Sequence, residues 1–294
     1  MTVFAFKVQH FFPRGCQSGM TQNKPLLLLP VLASMFLFSS CIERAFFHSP
    51  LQGNIATYHA TPVGSDSVKA ATYVQGALSI GNMNENLRDN VFTFQTGIHR
   101  AHALDIVRLN YGASLVLGSY NVKSYYNYNS SYNNYIDSAL RTGTKFFGAY
   151  GAYGGISLAM PLGRNGRRGE WRYFGVDGNI FNEFGEYYSF RQHLPDSSAD
   201  EIDRKRYFGS LGINTEIVFK GRSQNKFGIK FGFGSYLRRL SYTNAGANNY
   251  YNHYDDLLYF ANTYHFTIRK ATTYFQFNVA THAVHFQLGF NYRL

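Results

Sequence analysis

Few residues in this sequence combine the types and spacing that catalysis or metal binding requires. His99 and His102 stand three positions apart, and so do His282 and His285. On a strand, where successive side chains alternate in direction, each such pair splits onto opposite faces, so no metal site is expected. His253, Asp255 and Asp256 cluster in one polar stretch, and His193 precedes Asp196 in another. Imidazole and carboxylate are the groups that general acid–base hydrolysis needs, but neither cluster has an acid–His spacing that marks such a site. Solvated loop charge explains them more simply. Gly148, Gly151, Gly154 and Gly155 do not form a phosphate cradle, because no G-x-G-x-x-G follows a strand and opens a helix. They suit close strand packing or bulky neighbours instead. Arg164-Asn165-Gly166-Arg167-Arg168 reads as a solvated basic turn. No catalytic residue, metal ligand or cofactor site is assigned.

One residue does carry expected chemistry. Met20 to Cys41 reads MTQNKPLLLLPVLASMFLFSSC, with Lys24 as a short basic region and Pro25 to Phe38 as an apolar core. That core has the length of an export signal and is too short to span a membrane comfortably. Phe38-Ser39-Ser40-Cys41 resembles a lipobox, where bacteria acylate the cysteine and cleave before it; Phe38 departs from the usual Leu. The resemblance implies lipidation at Cys41. Residues 1–19 sit ahead of a complete signal, so Met20 is read as an alternative start, which would remove Cys16. The expected division is a signal peptide over 1–40, a lipid-anchored linker over 41–68 and one β domain over 69–294. The linker reading rests on Pro50, Gly53, Pro62 and Gly64 among polar residues.

From Lys69 onward, apolar and polar residues alternate in about ten stretches. The last, Val284 to Leu294, is the clearest: Val284, Phe286, Leu288, Phe290, Tyr292 and Leu294 share one face. His285, Gln287, Gly289, Asn291 and Arg293 share the other. Val107 to Leu117 and Phe227 to Phe233 repeat the pattern, while a fifth stretch over about 170–190 is long and irregular. The connections alternate too. Of those near 82–90, 120–144, 189–206 and 241–257 three are long, whereas those near 100–105, 161–169, 220–226 and 269–272 are all short, and only 281–283 is unexpectedly tight.

Aromatics make up 18% of the 294 residues and charged residues only 15%, with 28 Gly against 7 Pro. Beyond the N-terminal region no apolar run is long enough for a membrane helix. The mean hydropathy of −0.26 is no obstacle to a membrane barrel, where only alternate residues meet lipid. A net charge of +11 suits an anionic neighbour, and after an export signal lipopolysaccharide is expected rather than nucleic acid.

An aromatic-faced strand running to the last residue, with alternately short and long connections, resembles bacterial outer-membrane β-barrel proteins, in particular lipid-anchored ones of the Bacteroidota type. The resemblance is architectural and covers nearly all of the chain after the signal. It implies an all-β fold, an antiparallel transmembrane barrel of about ten strands with an apolar outside and a polar lumen. Outer-membrane localisation, assembly by the barrel-assembly machinery and contact with another envelope complex would follow. Arg108, Glu216, Lys230 and Arg293 fall on the inward face, where buried charges must pair, so Glu216 is expected to neutralise a cation. With such side chains inside, ten strands should be nearly plugged. Position 287, facing the lumen, is expected to accept Arg better than lipid-facing 288.

The expected role is non-enzymatic: structural, accessory or surface-binding. Two Tyr/Asn-rich stretches on the long-loop side are the candidate binding surface, through Tyr125, Tyr126, Tyr128, Tyr132 and Tyr135 in one and Tyr250, Tyr251 and Tyr254 in the other. A headgroup-level girdle is the plainer account of them. Two alternatives stand beside this role. One is a soluble, lipid-tethered barrel with an apolar interior that binds an apolar ligand. The other is an outer-membrane hydrolase of the omptin or lipid A-modifying type, although no acid–His pair here matches the omptin pattern.

Overall fold

The computed structural model describes residues 46–54, 57–84, 88–123, 142–163, 166–195, 201–221, 225–242 and 253–294. Cys41, the signal region and the Tyr125–Tyr135 and Tyr250–Tyr251 positions lie outside them.

Ten strands form one closed antiparallel barrel. They are β1 (Ala70–Met83), β2 (Asp89–Leu104), β3 (Val107–Val122), β4 (Gly143–Leu162) and β5 (Gly169–Phe184). The second half is β6 (Tyr207–Lys220), β7 (Lys226–Tyr242), β8 (His253–Ile268), β9 (Ala271–Ala280) and β10 (Ala283–Arg293). Each strand pairs with its neighbours in sequence, and β10 closes the cylinder on β1, with Phe286 opposite Ile80 and Leu288 opposite Leu78. One rim carries the tight connections 105–106, 163–168, 221–225 and 269–270, the turn end. The other carries 84–88, 123–142, 185–206, 243–252 and 281–282, the loop end.

Strand alternation decides which groups face out. Leu78, Phe92, Ile98, Ile213, Phe233, Phe266 and Leu288 are among the large apolar residues exposed on the outer surface. Gln75, Thr93, Gln95, His99, Glu216, Thr263, Gln276, His285, Gln287 and Asn291 are buried on the inner one. A soluble barrel has the reverse arrangement, so the apolar-interior alternative is overturned. This is the inside-out polarity of a membrane-spanning β-barrel. Three register shifts interrupt the ladder among the described residues, at Leu158/Ala159 in the β4–β5 pairing, between Arg172 and Gly175 in the β5–β6 pairing, and between Asp256 and Leu258 in the β7–β8 pairing.

Three expectations need correction. First, the irregular fifth stretch ends at Phe184 and continues as a helix, α1 (Glu186–His193). Gly185 makes the break: its φ of 106° is in a region that L side chains avoid. Second, the β7–β8 hairpin reaches further than the alternation suggested. His253, Tyr254, Asp255 and Asp256 belong to β8 and pair with Tyr242 to Arg239 of β7, so Tyr254 is a strand residue and not a loop one. Third, the supposed linker from Phe46 onward is packed inside the barrel.

The filled interior changes one expected mutational outcome. Gln287 is almost wholly buried and donates to Asn54 Oδ1 at 2.9 Å, so position 287 has no room for Arg. Leu288, 64% exposed, faces outward. Leu288→Arg should cost ~2–4 kcal/mol at mid-bilayer depth and lower the yield of heat-modifiable, folded barrel on gels. Gln287→Ala, which removes only an inward contact, should assemble normally. Equal assembly of Leu288→Arg and the parent would show that this face does not meet lipid.

Candidate functional site: the filled lumen

Residues 46–54 and 57–66 run through the lumen, with contacts near both rims. At the loop end the Phe46 amide donates to Asn84 Oδ1 (2.8 Å), its ring stacks on His282 (4.4 Å), and Phe46–Phe47 pairs in parallel with Glu201–Ile202. Pro50–Gly53 then form a 3-10 turn capped by the Ser49 hydroxyl. Gly53 passes so close to the wall that a Cβ there would land on the His285 ring. That close approach is why a residue without a side chain stands at this point.

The upper half of the interior is apolar. Phe47 and Leu51 pack with Met83, Val116, Phe147, Phe181 and Tyr236. Helix α1 folds over this layer: Tyr187 is fully buried and stacks on Tyr120 at 3.9 Å, and Phe190 meets Phe47 edge-on at 5.5 Å. Arg191 is also fully buried, bonded to Glu183 and 3.6 Å from Asp203. Burying this many large side chains at ~1.5–3 kcal/mol each makes the loop-end lid a stability element and not a loose flap.

Below it the interior turns polar. Asn54 donates to Thr93 (2.9 Å), Thr57 to Gln95 (2.7 Å), and His59 Nδ1 lies 2.8 Å from Gln75 Oε1. His99 Nε2 meets the Ala60 carbonyl at 2.9 Å, so this histidine is a buried wall residue bonded to the segment. His102 points to the other side of β2, and His285 is buried where His282 lies in the preceding turn. Among the described residues no group of three potential metal ligands comes together.

Near the turn end the contacts become ionic. Arg108 binds Glu170 (2.7 Å), Glu170 also binds Arg172 (2.7 Å), and Arg172 reaches Glu216 (2.7 Å). Glu216 further meets His265 Nε2 at 2.8 Å and accepts from Tyr58 OH at 3.3 Å. Lys230 pairs with Asp177 at 2.6 Å. Three of the four charges read as inward, Arg108, Glu216 and Lys230, therefore sit in lumenal ion pairs. Arg293 is half-buried at the turn-end rim, beside Arg269 and Lys270, and makes no such pair among the described residues. Sequence reasoning missed Glu170, Arg172 and Asp177. The bulge after Arg172 shifts the inward positions from even to odd numbers, so no single phase shows both sets.

The segment is tied into this network as well. The Gly64 amide donates to Glu170 Oε2 (2.7 Å), and Arg172 approaches the Thr61 carbonyl at 3.3 Å. Asp66, in the bend at the turn-end mouth, accepts from the Val63 amide and binds Lys220 (3.2 Å) and Lys226. Two small cavities lie beside the segment among the described residues. A cavity of about 40 Å³ lies among Tyr153, Asp177, Asn214, Lys230 and Tyr259, and another of about 20 Å³ among Arg172, Lys226 and Arg293. Each holds at most a few waters, at roughly 10–15 Å³ of accessible space per molecule. A groove of about 720 Å³ lies outside, on the apolar face, lined by Val74, Ile98, Leu115, Tyr150 and Ile180.

Of the residues raised for hydrolysis, His193 alone has a described side chain. His193 closes α1, with Nδ1 2.7 Å from the Ser189 carbonyl. His253, Asp255 and Asp256 are placed by backbone alone, and Asp196 lies outside the described residues.

No protein-family profile and no curated protein sequence matches this chain. Its fold is similar to solved membrane barrels. An outer membrane channel from Pseudomonas putida F1 shares 11% identity over 81% of this chain and 98% of that one, with a TM-score of 0.36. The beta domain of the Bordetella autotransporter Brka shares 9% over 77% and 100%, at 0.37. The transport unit of the autotransporter AIDA-I from Escherichia coli shares 9% over 83% and 95%, at 0.33. These likenesses are of fold alone.

Asp66 gives the site a pH dependence. Burial alone would raise its carboxyl pKa, but the Lys226 ammonium, helped by bonds from Lys226, Val63 and Lys220, holds it below the ordinary 3.8. A depressed carboxyl contributes stability above its unfolded pKa and loses it as pH falls through the folded one. The thermal midpoint of the folded barrel in detergent should therefore drop as pH is taken from 5 to 2.5, and Asp66→Asn should flatten that drop. An unchanged slope in the variant would remove Asp66 as a cause.

Proposed function

We propose that this chain is a lipid-anchored β-barrel of the bacterial outer membrane, filled by its own N-terminal segment. It acts without enzymatic activity as a structural or surface-binding component. The observation that carries this reading is the occupied lumen: a peptide segment bonds to wall residues near both rims and midway between them. A conduit needs free cross-section, and the small cavities beside Tyr153 and Arg172 hold only a few waters. In this reading the turn end faces the periplasm and the loop end faces outward, following the usual asymmetry of such barrels. Lipopolysaccharide would surround the outer half of the wall, the barrel-assembly machinery would insert it, and another envelope complex would be its partner. The Tyr/Asn-rich connections at the loop end supply the contact surface for that partner.

Purified full-length protein in planar bilayers should show no steady channel conductance. Replacement of residues 46–67 by a Gly/Ser chain should give conducting steps in whatever fraction assembles. Open-porin conductance by the intact protein would overturn the closed-barrel reading. The anchor is tested separately. Metabolic labelling with a fatty-acid analogue should mark the parent and not Cys41→Ser, and labelling that persists in Cys41→Ser would remove that cysteine as the acylation site.

A further inference from the structure

The groove on the outer wall crosses strands β1 to β6. Its floor is Ala113 and Ala152, small residues set among the larger Val74, Ile98, Tyr150 and Ile180. It climbs as it goes, since Val74 stands four residues from the turn end of β1 and Ile180 eleven from that of β5. At ~4.7–4.9 Å between strands its five steps span ~24 Å, more than the ~15 Å that one leaflet takes of a ~30 Å hydrocarbon core. An acyl chain fits it on a slant.

A cation stands at its lower end. Arg100 lies between Thr72 and Tyr111 across the ladder, one outward position nearer the turns than Val74, Ile98 and Ala113. It is exposed, and Ile98 and Leu104 flank it on the same face of β2, so its guanidinium leaves the wall within the lipid-facing surface. Its Nη1 donates to the Thr72 hydroxyl at 2.9 Å, and among the described residues no carboxylate pairs with it. Tyr111, with the His102 ring stacked on it at 6.0 Å, sets polar tips at the same level, as at lipid headgroups. At the groove's upper end, Arg204 and Arg206 are turned instead onto the Leu194 and Glu183 carbonyls.

We propose that this groove is a specific site for one glycerophospholipid of the turn-side leaflet, its phosphate on Arg100 and one acyl chain along Ala113 and Ala152. This rests on the outer-membrane reading, which puts phospholipid around the turns and lipopolysaccharide around the loops. A guanidinium facing lipid needs an anion, and a phosphate meets its planar fork with two parallel hydrogen bonds. The groove then orders the chain that follows the phosphate. Charge and apolar shape adjoin on the wall as they do in the ligand.

Native mass spectrometry of the full-length protein in mild detergent reads the site, with dimyristoyl phosphatidylglycerol as the probe. The parent should retain one lipid. Dimyristoylglycerol, which lacks the phosphate, should bind about tenfold more weakly, the worth of one charge-assisted hydrogen bond. Arg100→Ala should weaken the probe by the same factor, and Arg100→Lys by less. Ala152→Phe, which fills the groove from outside, should also lose the lipid, whereas Phe266→Ala on the outer face of β8 should not. Heat-modifiable mobility verifies that each variant is folded. Equal retention by the parent, Arg100→Ala and Ala152→Phe overturns the inference and leaves only loosely held lipid. Displacement of the probe by equimolar lipid A overturns the turn-side source. A lipid-free dimer in the ultracentrifuge that Ala152→Phe abolishes gives the groove to a second copy, which also overturns it. A heat-modifiable parent that retains no lipid sinks the site alone, whereas a parent soluble without detergent sinks the membrane reading beneath it.

Discussion

A closed sheet with lipid outside forces its polar groups inward, and each of them must then find a partner away from bulk water. Eight strands leave an interior that side chains alone can fill, while sixteen leave a water channel. Ten strands fall between these cases. Here the remaining space takes one further length of chain, residues 46–54 and 57–66. Gln75, Gln95, His99, Glu170, Glu216 and Gln287 each bond to that segment. Without it, these groups would need water in its place, because a buried polar atom left unpaired costs ~1–3 kcal/mol. The wall and its filling are therefore one folding problem.

The two halves of the interior solve it differently. Under α1 the filling is apolar, with Phe47 and Leu51 against aromatic wall residues, and shape does the work. Toward the turn end it is a chain of alternating charges, Arg108–Glu170–Arg172–Glu216. Buried ion pairs of this kind are weak evidence for net stability, since desolvation offsets much of their attraction. Removing one partner is another matter, at ~3–5 kcal/mol, because a bare charge is left behind. The charges thus fix the register in which segment and wall can coexist.

How much of this the sequence shows depends on period. The wall was legible because strands repeat every two residues, and Val284 to Leu294 shows the inside and outside sets without ambiguity. The alternation of short and long connections showed which ends of the strands lie together. Periodicity failed where the pattern slips: at the bulge after Arg172, at the turn into α1, and at the extended β7–β8 hairpin. It also failed for residues 46–69, for a different reason. An irregular segment whose partners lie far along the chain, as Tyr58 and Glu216 do, carries no local signature. Its Pro and Gly residues read as a linker because linkers and tightly fitted irregular segments use the same residues. Gly53 is there for contact with His285 and not for freedom.

The seam between β1 and β10 has a consequence for the order of assembly. The segment bonds to both sides of it, His59 to Gln75 on β1 and Asn54 to Gln287 on β10. To slide in after closure, it would have to draw everything ahead of Phe46 through a bore already crowded with Tyr153, Arg172 and Tyr259. Wrapping is the shorter path: the sheet curls around a strand of its own chain, and the last pairing shuts it in. The barrel then behaves as a ring cast around a thread, and separating the two means opening the ring.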